Sequence, residues 1–466
     1  MIGHLLHADL EPMLRNKQWD QLREGLSELP AADVAEIIEY MIDLPGADET
    51  LLFRLLPREL AACVFAELPL HLQRRLVQAF SSADCGSLLN EMTPDDRTRL
   101  LEEMPAQVTT RLLEELSPEE LRRARELLGY PERTAGRFMT PEYVALPPSM
   151  RAREALEHVR KTGRGKETLN VLYIIDASGK LLEDLRLGSL VLADPEIPVA
   201  DIEDRPLVSI PATLPVEEVI AAFRRYGRVA LPVVDADGKM LGIITQDDVL
   251  ELAQAEATED IQRLGGSETL DAPYLRTEFW SMVRKRGGWL SALFLGEMLT
   301  ATAMGYFEGE IERAAVVALF VPLIISSGGN SGSQATSLII RSLALKEMTL
   351  RDWYRVFGKE LFSGLALGCF LGLIGLVRIL LWYKLGWNDY KGHPVLMGVT
   401  VWVSLTGVVT FGSLAGAMLP FILRRLGFDP ATSSAPFVAT LVDVTGLCIY
   451  FLVALLILRT TLLAPA

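Results

Sequence analysis

The chain has 466 residues, enough for about three domains, and half of its residues are hydrophobic. Its net charge of −15 is uneven: residues 1–275 hold 49 acidic and 29 basic side chains, whereas residues 276–466 hold 11 and 16. An acidic soluble region repels phosphates, which argues against a nucleic-acid-binding protein; it suits a surface that attracts cations or one that only keeps the domain soluble.

The first predicted elements are short helices that repeat every twelve residues. The apolar residues at this period are Leu56, Leu68, Phe80, Met92, Met104 and Leu116. Each is followed by proline, serine or threonine, which suit the start of a helix. Because helices of two to three turns are unstable alone, consecutive ones must stack on each other. Residues 1–130 are therefore predicted to form an all-α superhelical domain.

A repeated pattern of strands and helices follows in residues 131–246. Residues 171–176 and 230–235 are typical of buried strands, and each follows a helix and precedes a glycine turn, at Gly179 and Gly238. This order resembles a tandem pair of cystathionine-β-synthase (CBS) domains, and the second copy, with Gly242-Ile-Ile-Thr245, matches better. The resemblance implies an α/β pair that senses a ligand. Adenine nucleotide is a candidate, although the sequence has no phosphate-binding loop.

A charged helix is predicted between these domains and the rest of the chain. Residues 247–264 are rich in alanine and acidic residues and carry apolar side chains at helical spacing. Residues 247–275 are therefore interpreted as a connecting helix and linker.

The remaining residues, 276–466, are predicted to form an all-α transmembrane domain of five helices. The apolar spans are 289–307, 314–343, 361–381, 395–423 and 436–458, each about the length that crosses a bilayer or longer. Basic residues concentrate before the first span, between the second and third, and after the fourth. The positive-inside rule then places the N-terminal domains in the cytoplasm and the C-terminus outside. We expect a multi-pass protein of the cell (inner) membrane, without a signal peptide.

A polar, glycine-rich run interrupts the second span. It reads Ser326-Ser-Gly-Gly-Asn-Ser-Gly-Ser-Gln334. Polar groups at membrane depth are tolerated only where they face protein or a water-filled cavity. The run therefore predicts a closely packed helix that lines a path for something hydrated.

Two carboxylates lie inside apolar spans. Asp443 has no evident basic partner there, which indicates a cation site; the alternative is a hydrogen-bonded aspartate that braces helices. Glu297 is either a second ion ligand or a hydrogen-bonding group between helices. Glu308 and Glu312 are expected at the outer mouth, where they concentrate cations or form a solvated loop.

Three longer motifs carry a resemblance that covers almost the whole chain. They are Gly328-Gly-Asn-Ser-Gly-Ser-Gln334 with Leu338-Ile-Ile-Arg341, Gly416-Ala-Met-Leu-Pro420 with Arg424-Arg-Leu-Gly-Phe-Asp-Pro430, and Ala439-Thr-Leu-Val-Asp-Val-Thr-Gly446. Together with the domain order, they resemble the MgtE family of magnesium channels. The resemblance implies a homodimeric pore in which Asp443 forms the selectivity site. It also implies that Mg²⁺ passes with its water shell, helped by the Ala439 carbonyl and the Asn330 and Gln334 amides.

The resemblance further implies regulation by intracellular Mg²⁺. The matching acidic residues are Asp95, Asp96, Asp248, Glu251, Glu256, Glu259 and Asp260. Bound Mg²⁺ would bridge acids that otherwise repel, and would favour a state in which the connecting helix plugs the pore. One departure is Ala435, where many relatives have asparagine.

These features predict a Mg²⁺-selective channel for passive influx, not an enzyme, that intracellular Mg²⁺ closes. Its expected partners are a second copy of the chain, the lipid bilayer and divalent cations. A secondary active exchanger of divalent cations would use the same residues and stays open as an alternative. A CBS-type nucleotide sensor with a membrane anchor is the other alternative, but an anchor needs neither Asp443 nor the polar run.

Overall fold

The computed structural model of the chain describes residues 13, 16, 18–41, 49–202, 204–270, 274–313, 315–344, 347–429 and 435–461. By their contacts the residues divide into two units, Met1–Glu256 and Ala257–Ala466. This division falls inside the predicted connecting segment, and the predicted boundary at residue 130 lies within the first unit. The first twelve residues of the predicted superhelical domain lie outside the described part.

Short helices make up the N-terminal part of the first unit. They are α1 (Trp19–Ser27), α2 (Ala31–Met41), α3 (Glu49–Leu55), α4 (Arg58–Glu67), α5 (Leu70–Ala79), α6 (Ser82–Glu91), α7 (Pro94–Glu103), α8 (Ala106–Glu114) and α9 (Pro118–Leu128). From α4 to α9 each helix begins twelve residues after the one before it, which confirms the predicted repeat. Leu68, Met92 and Met104 leave their helices in extended conformation and bury their side chains in one shared core.

Two three-stranded sheets with the same topology follow. The first contains β1 (Ala145–Leu146), β2 (Val171–Ile175) and β3 (Leu181–Arg186), and the second contains β4 (Ile210–Pro211), β5 (Ala230–Val234) and β6 (Met240–Thr245). In each sheet the first strand pairs in parallel with the second, and the second pairs antiparallel with the third. The helices of this region are α10 (Ala135–Phe138), α11 (Ala152–Thr162), α12 (Leu187–Leu192) and α13 (Val216–Tyr226). The predicted α/β repeat is therefore present twice, with a regular third strand in both copies.

The turn before the third strand is built in the same way in both sheets. Asp176 Oδ1 accepts hydrogen bonds from the backbone N–H groups two and four residues later, and Asp235 Oδ1 does the same. Gly179 and Gly238 have φ values of 86° and 81°, a region that glycine adopts without steric cost. A backbone hydrogen bond from the Leu181 N–H to the Gly238 carbonyl joins the two turns.

One helix, α14 (Gln246–Leu264), covers the predicted connecting helix. It begins directly after β6 in the first unit and ends in the second. Asp247 and Asp248 lie in its first turn, where negative charge favours the helix N-terminus.

Long helices make up the second unit. They are α15 (Phe279–Tyr306), the short α16 (Glu308–Arg313) and α17 (Ala315–Ala318), α18 (Val321–Ala344), α19 (Trp353–Lys384), α20 (Pro394–Arg425) and α21 (Ala435–Leu458). Four segments of the described chain are long and apolar enough to cross a membrane, namely Ala315–Ala344, Leu350–Lys384, Pro394–Arg425 and Ala435–Leu458. They match the second to fifth predicted spans. The first predicted span lies in α15, a continuous helix of 28 residues that is not one of these four, so the count of five stays a prediction.

Helices α18 and α20 cross where both carry glycine. A Cβ on Gly412 would collide with the carbonyl oxygen of Gly328, and a Cβ on Gly416 would collide with that of Gly332. Hydrogen bonds across the crossing are Ser331 Oγ with Ser413 Oγ (2.7 Å) and Thr336 Oγ1 to the Gly416 carbonyl (2.9 Å). Glycine thus allows the two backbones to touch, and this contact holds the polar run of α18 in place.

Candidate functional site

The polar run of residues 326–334 lies within α18 and has two different faces. Gly328, Ser331 and Gly332 are buried against neighbouring helices, whereas Asn330 and Gln334 are exposed. Within the described residues neither carboxamide has a hydrogen-bond partner. Residues four apart lie on one side of a helix, so two unpartnered amides share one face at membrane depth. Such a face requires water or another polar surface.

Helix α21 brings Asp443 towards this part of α18. A Cβ on Gly329 would lie 3.6 Å from Cα and Cβ of Ala439, so the two helices touch beside Asn330. Asp443 follows Ala439 by four residues and lies on the same side of α21. Its side chain is partly buried and has no hydrogen bond to the described residues. Ala439 therefore touches the polar run, and Asp443 lies one helical turn along α21 from this contact.

Helix α15 contributes a second carboxylate to the same region. A Cβ on Gly296 would lie 3.1 Å from Thr440 Cγ2, which places α15 against α21 three residues before Asp443. The next residue, Glu297, is exposed and lies close enough for its charge to act on Asp443. Two carboxylates on different helices thus share one electrostatic environment, which favours a cation between or near them.

One polar group in this region, the hydroxyl of Thr300, could not be recognised as unusual from the sequence. Among the described residues, Thr300 Oγ1 is buried without a hydrogen-bond partner, whereas the hydroxyl of Thr302 bonds to the Met298 carbonyl (3.1 Å). Thr300 follows Gly296 by four residues, so it lies on the face of α15 that meets α21. The hydroxyl of a threonine in an apolar helix usually donates a hydrogen bond to a backbone carbonyl of the same helix. The neighbouring residues in the sequence do not reveal which threonines lack this hydrogen bond.

The first turn of α21 is tied to α18 through backbone. Ser333 Oγ donates a hydrogen bond to the carbonyl of Ala435 (3.3 Å). Ala435, where many relatives have asparagine, therefore still contributes its backbone oxygen to the contact between α18 and α21.

Glu308 and Glu312, the predicted outer-mouth acids, are exposed on α16.

Within the described chain, no group of three or more His, Cys, Asp or Glu side chains is arranged to hold a metal ion directly. Mg²⁺ gives up its water reluctantly and is commonly bound through one or two carboxylates with several waters retained. The two carboxylates, Asp443 and Glu297, therefore suit a hydrated cation that they contact through its water shell.

A second group of acids lies in the first unit. We name it the acidic cluster; it consists of Asp95, Asp96, Glu167, Asp247 and Asp248, whose charges act on one another. Asp95 is only 9% exposed, and its Oδ1 atom has no hydrogen-bond partner in the described structure. Arg99 borders the cluster, where it donates to Asp96 (2.8 Å) and forms an ion pair with Glu251. Negative charge thus outweighs positive charge at this place.

Burial and mutual repulsion raise the pKa values of these acids. Burial raises the pKa of Asp95 well above its ordinary value, and the charges of Asp248 and Asp96 raise it further. Burial, followed by the neighbouring aspartates, raises the pKa of Glu167 to about 7. Burial also raises the pKa of Asp248 to about 6, although Thr245 donates a hydrogen bond to it (2.6 Å). A divalent cation or a proton would relieve this repulsion.

The other predicted regulatory acids lie on α14 outside the acidic cluster. The ion pairs that they form are Glu251 with Arg99, Glu256 with Arg133, and Glu259 with Arg263. Asp260 is partly buried. Sequence reasoning missed Glu167 and Asp247, because Glu167 lies in a loop with no acidic pattern and only the fold brings it to α14. The structure thus gathers Asp95, Asp96 and Asp248 and places Glu251, Glu256 and Glu259 in separate ion pairs.

A cavity of about 400 Å³ lies beside β2 and β3. Its lining includes Asn170, Arg186 and Arg205. Arg186 is paired with Asp204, and Arg205 with Asp184 (2.8 Å). The arginines are thus held in place by carboxylates, and an anionic ligand would have to share or replace these contacts.

Three family models match parts of the chain. Residues 13–133 match the MgtE intracellular N domain, residues 199–255 match the CBS domain, and residues 321–453 match a divalent cation transporter model named MgtE. The CBS match covers the second α/β copy, and the first copy shares its strand topology.

Three curated relatives carry the name magnesium transporter MgtE. The chain is 44% identical to the one from Thermus thermophilus over 72% of each chain, and 31% identical to the one from Enterococcus faecalis over 73% of each. It is 28% identical to the one from Bacillus subtilis over 95% of each. A solved structure of the soluble part of a magnesium transporter, 26% identical, covers 55% of this chain and 99% of its own with a TM-score of 0.51.

Proposed function

Since the chain belongs to the MgtE family of magnesium transporters, we propose that it is a channel for passive Mg²⁺ influx. The proposed path runs past Asp443 and Ala439 on α21, Asn330 and Gln334 on α18, and Glu297 on α15. Two carboxylates attract the cation, and the amides and the Ala439 carbonyl orient the water that it retains. We also propose a homodimer with one path between its two copies, as the resemblance to the MgtE family implies.

The observation that carries this proposal is that two touching helices, α18 and α21, hold amides and a carboxylate that have no hydrogen-bond partner among the described residues. In a bilayer, Asn330, Gln334 and Asp443 would be costly if they faced lipid. Helix α18 is held by its glycine contacts to α20, so it cannot easily rotate these amides away. A water-filled path would solvate the amides and the carboxylate together and so remove this cost.

The test is Mg²⁺ influx into liposomes that contain the purified full chain and an enclosed Mg²⁺ dye. Asp443→Ala is expected to abolish influx, and Asp443→Asn to remove it without changing the shape of the side chain. Asp389→Ala, an exposed acid in the loop before α20, is the matched control. Normal influx through Asp443→Ala would contradict the proposed path.

We propose five membrane-spanning helices, α15 together with the four apolar ones, with the N-terminal domains in the cytoplasm and the C-terminus outside. The basic residues that flank the spans support this orientation. The match of residues 13–133 to an intracellular N domain supports the same side. A protease added to sealed, right-side-out vesicles should cleave a C-terminal tag and spare the N-terminal domains.

We propose that intracellular Mg²⁺ closes the channel by binding at the acidic cluster. The raised pKa values of Glu167 and Asp248 indicate that their negative charges are unfavourable without a cation. A divalent ion that bridges them would stabilise the arrangement that holds α14, the plug of the proposed gate. The paired acids Glu251, Glu256 and Glu259, with Asp260, are secondary ligands in this proposal, because binding there must compete with arginines.

Patch-clamp recording with Mg²⁺ varied on the cytosolic side tests the gate. Glu167→Gln combined with Asp248→Asn should remove the Mg²⁺ dependence of closure, whereas Glu217→Gln, an exposed acid on α13, should not. Unchanged inhibition in the double variant would contradict the role of the acidic cluster. Current that follows voltage without a Na⁺ or H⁺ gradient would also separate the channel from a secondary active exchanger.

The cavity beside β2 and β3 supports adenine nucleotide as a second regulatory ligand. Its two arginines suit phosphate groups, and its volume is in the range of small-molecule pockets, roughly 300–1,000 Å³. Calorimetric titration of the full chain with ATP should show binding that Arg205→Ala weakens. Equal binding by this variant would place the nucleotide elsewhere.

A further inference from the structure

A cavity of about 650 Å³ lies in the second unit between the end of α14 and the start of α15. One side is formed by Gln262 of α14 and by the linker at Ser267 and Leu270. The other side is formed by Met282, Arg286 and Leu290, which follow each other at four-residue spacing and so make one stripe along α15. The cavity is thus a gap between two elements rather than a depression in the surface of one of them.

Hydrogen bonds hold the walls of this cavity in place. Gln262 Oε1 accepts a hydrogen bond from the Leu270 N–H (2.7 Å), which folds the linker back onto α14. Lys285 Nζ donates to the Thr269 carbonyl, which fixes the linker to α15. The linker therefore cannot easily fill the gap, because hydrogen bonds hold it to α14 at Leu270 and to α15 at Thr269.

The lining combines apolar side chains with one type of charge. Leu270, Met282 and Leu290 are apolar, Tyr274 adds an aromatic ring, and Arg286 is the charged group among the described lining residues. Arg286 has no ion pair or hydrogen bond within the described chain. A cation beside an apolar gap, with no acid in the lining, selects an amphiphile whose polar end is negative.

The position of the cavity along α15 points to the membrane surface. Phe279 and Trp280 in the first turn of α15 are 69% and 76% exposed, and tryptophan concentrates at the membrane–water interface. The apolar span predicted for α15 begins at residue 289, within the stretch of α15 that lines the cavity. With α15 as a membrane-spanning helix in the proposed orientation, the cavity lies on the cytosolic side at the level where phospholipid head groups meet acyl chains.

We propose that this cavity binds one anionic phospholipid of the cytosolic leaflet, with its phosphate group at Arg286 and part of an acyl chain along Met282 and Leu290. The proposal rests on the proposed function for two points, namely that α15 spans the membrane and that its first turns lie on the cytosolic side. Because Gln262 belongs to α14, the bound lipid would contact the last turn of the connecting helix and the first turns of α15 together. Lipid composition would then bias the position of α14.

The test measures lipid binding to the purified full chain by intact-protein mass spectrometry. Phosphatidylglycerol and phosphatidylcholine with the same acyl chains are titrated separately, and inorganic phosphate is the third probe. We expect phosphatidylglycerol to bind more tightly and Arg286→Gln to lower its affinity about fivefold, since one basic residue near an anionic surface contributes about 1 kcal/mol. Arg284→Gln is the matched control, an exposed basic residue on α15 outside the lining.

A second variant keeps the charge and changes the shape. Met282→Trp should fill part of the cavity and weaken phosphatidylglycerol binding with Arg286 intact. Equal effects of Arg284→Gln and Arg286→Gln would overturn the proposal in favour of diffuse surface attraction. Displacement of the lipid by inorganic phosphate would overturn it in favour of a free-anion site. Asp443→Ala should abolish Mg²⁺ influx without changing lipid binding, so failure of the path and failure of the lipid site remain distinguishable.

Discussion

Arg263 in the last turn of α14 forms an ion pair with Asp429, which lies in the loop after α20, and a second ion pair with Glu259 on its own helix. The pair fastens the C-terminal end of the connecting helix to the loop that leads to α21, the helix that carries Asp443. Residues 430–434 of this loop lie outside the described part of the chain. The end of α14 is therefore attached directly to the loop before α21, so a movement of α14 would be transmitted to the helix that carries Asp443.

Breaking this ion pair should weaken closure of the channel. Arg263 and Asp429 are each about one-third exposed, so the pair is worth about 0.2–1 kcal/mol, which corresponds to a change of up to about fivefold in the open–closed equilibrium. Arg263→Ala and Asp429→Ala should each raise the cytosolic Mg²⁺ concentration needed for half closure.

A charge swap separates the pair from either residue alone. The double variant Arg263→Asp with Asp429→Arg should restore much of the lost sensitivity, and Arg424→Ala, which has no such partner among the described residues, should leave it unchanged. Additive losses in the double variant would show that the two residues act independently.

The acidic cluster should make the stability of the protein fall as pH rises from about 5 to 8. The pKa of Glu167 is raised to about 7 and that of Asp248 to about 6, so the folded state holds more protons than the unfolded state in this range. The protonated side chains therefore add to the free energy of unfolding in full when the pH is below the ordinary pKa of a carboxyl group. This contribution is lost as the pH rises past the raised pKa values of Asp248 and Glu167. Differential scanning fluorimetry of the full chain without Mg²⁺ measures this slope.

Two comparisons make the pH experiment specific. Mg²⁺ should raise the melting temperature more at pH 8 than at pH 5.5, because protons already relieve the repulsion at low pH. Glu167→Gln should reduce the slope, whereas Glu217→Gln should preserve it. A melting temperature that climbs steadily from pH 5 to pH 8 would contradict the proposed repulsion.

Removing the Thr300 hydroxyl should affect conduction rather than folding. The Oγ1 atom of Thr300 is buried without a partner in the described structure, so Thr300→Val removes a desolvated polar group and should not lower the melting temperature. If this hydroxyl orients water near Asp443, the variant should slow Mg²⁺ influx several-fold. Thr302→Val, whose hydroxyl bonds to its own helix, is the control, and equal influx in both variants would rule out this role.

Gly412→Ala should destabilise the membrane unit. The added Cβ would meet the backbone carbonyl of Gly328, which cannot move away as a flexible side chain does. Overpacking of this kind costs about 1–3 kcal/mol, and a lower temperature of thermal unfolding in detergent would show it. Gly358→Ala on α19 meets no neighbour and should have little effect. Equal melting temperatures for the two variants would mean that α18 and α20 do not approach at this point.

Local patterns in the sequence predicted most of the elements. The period of twelve residues predicted the starts of α4 to α9. A helix start depends on capping residues close to it in the sequence, and the spacing of the apolar residues decides which side chains are buried. The repeated turn with aspartate and glycine gave both hairpins for the same reason. Length and hydropathy gave four of the five predicted spans, while α15, which is interrupted by charged and small residues, is not settled by composition.

The candidate sites were predictable only in part. Asp443, Asn330 and Gln334 stood out because polar groups are costly in an apolar span. Glu167, Asp247 and Thr300 did not stand out, because each has an ordinary local sequence and gains its environment from elements far away in the chain. The ion pairs of Glu251, Glu256 and Glu259 were hidden for the same reason.

The sequence by itself determined the order of the domains, the helical repeat, the family and the carboxylate in the last span, since each depends on residue type and short spacing. Tertiary structure decided which acids share a cluster, which of them are paired with arginine, and which face of α18 exposes its amides. It also decided that Arg263 meets Asp429 and that a gap lies beside α14, lined by Arg286, which has no ion pair among the described residues. Charge and burial act through space, so residues distant in the chain acquire these properties only when the fold brings them together.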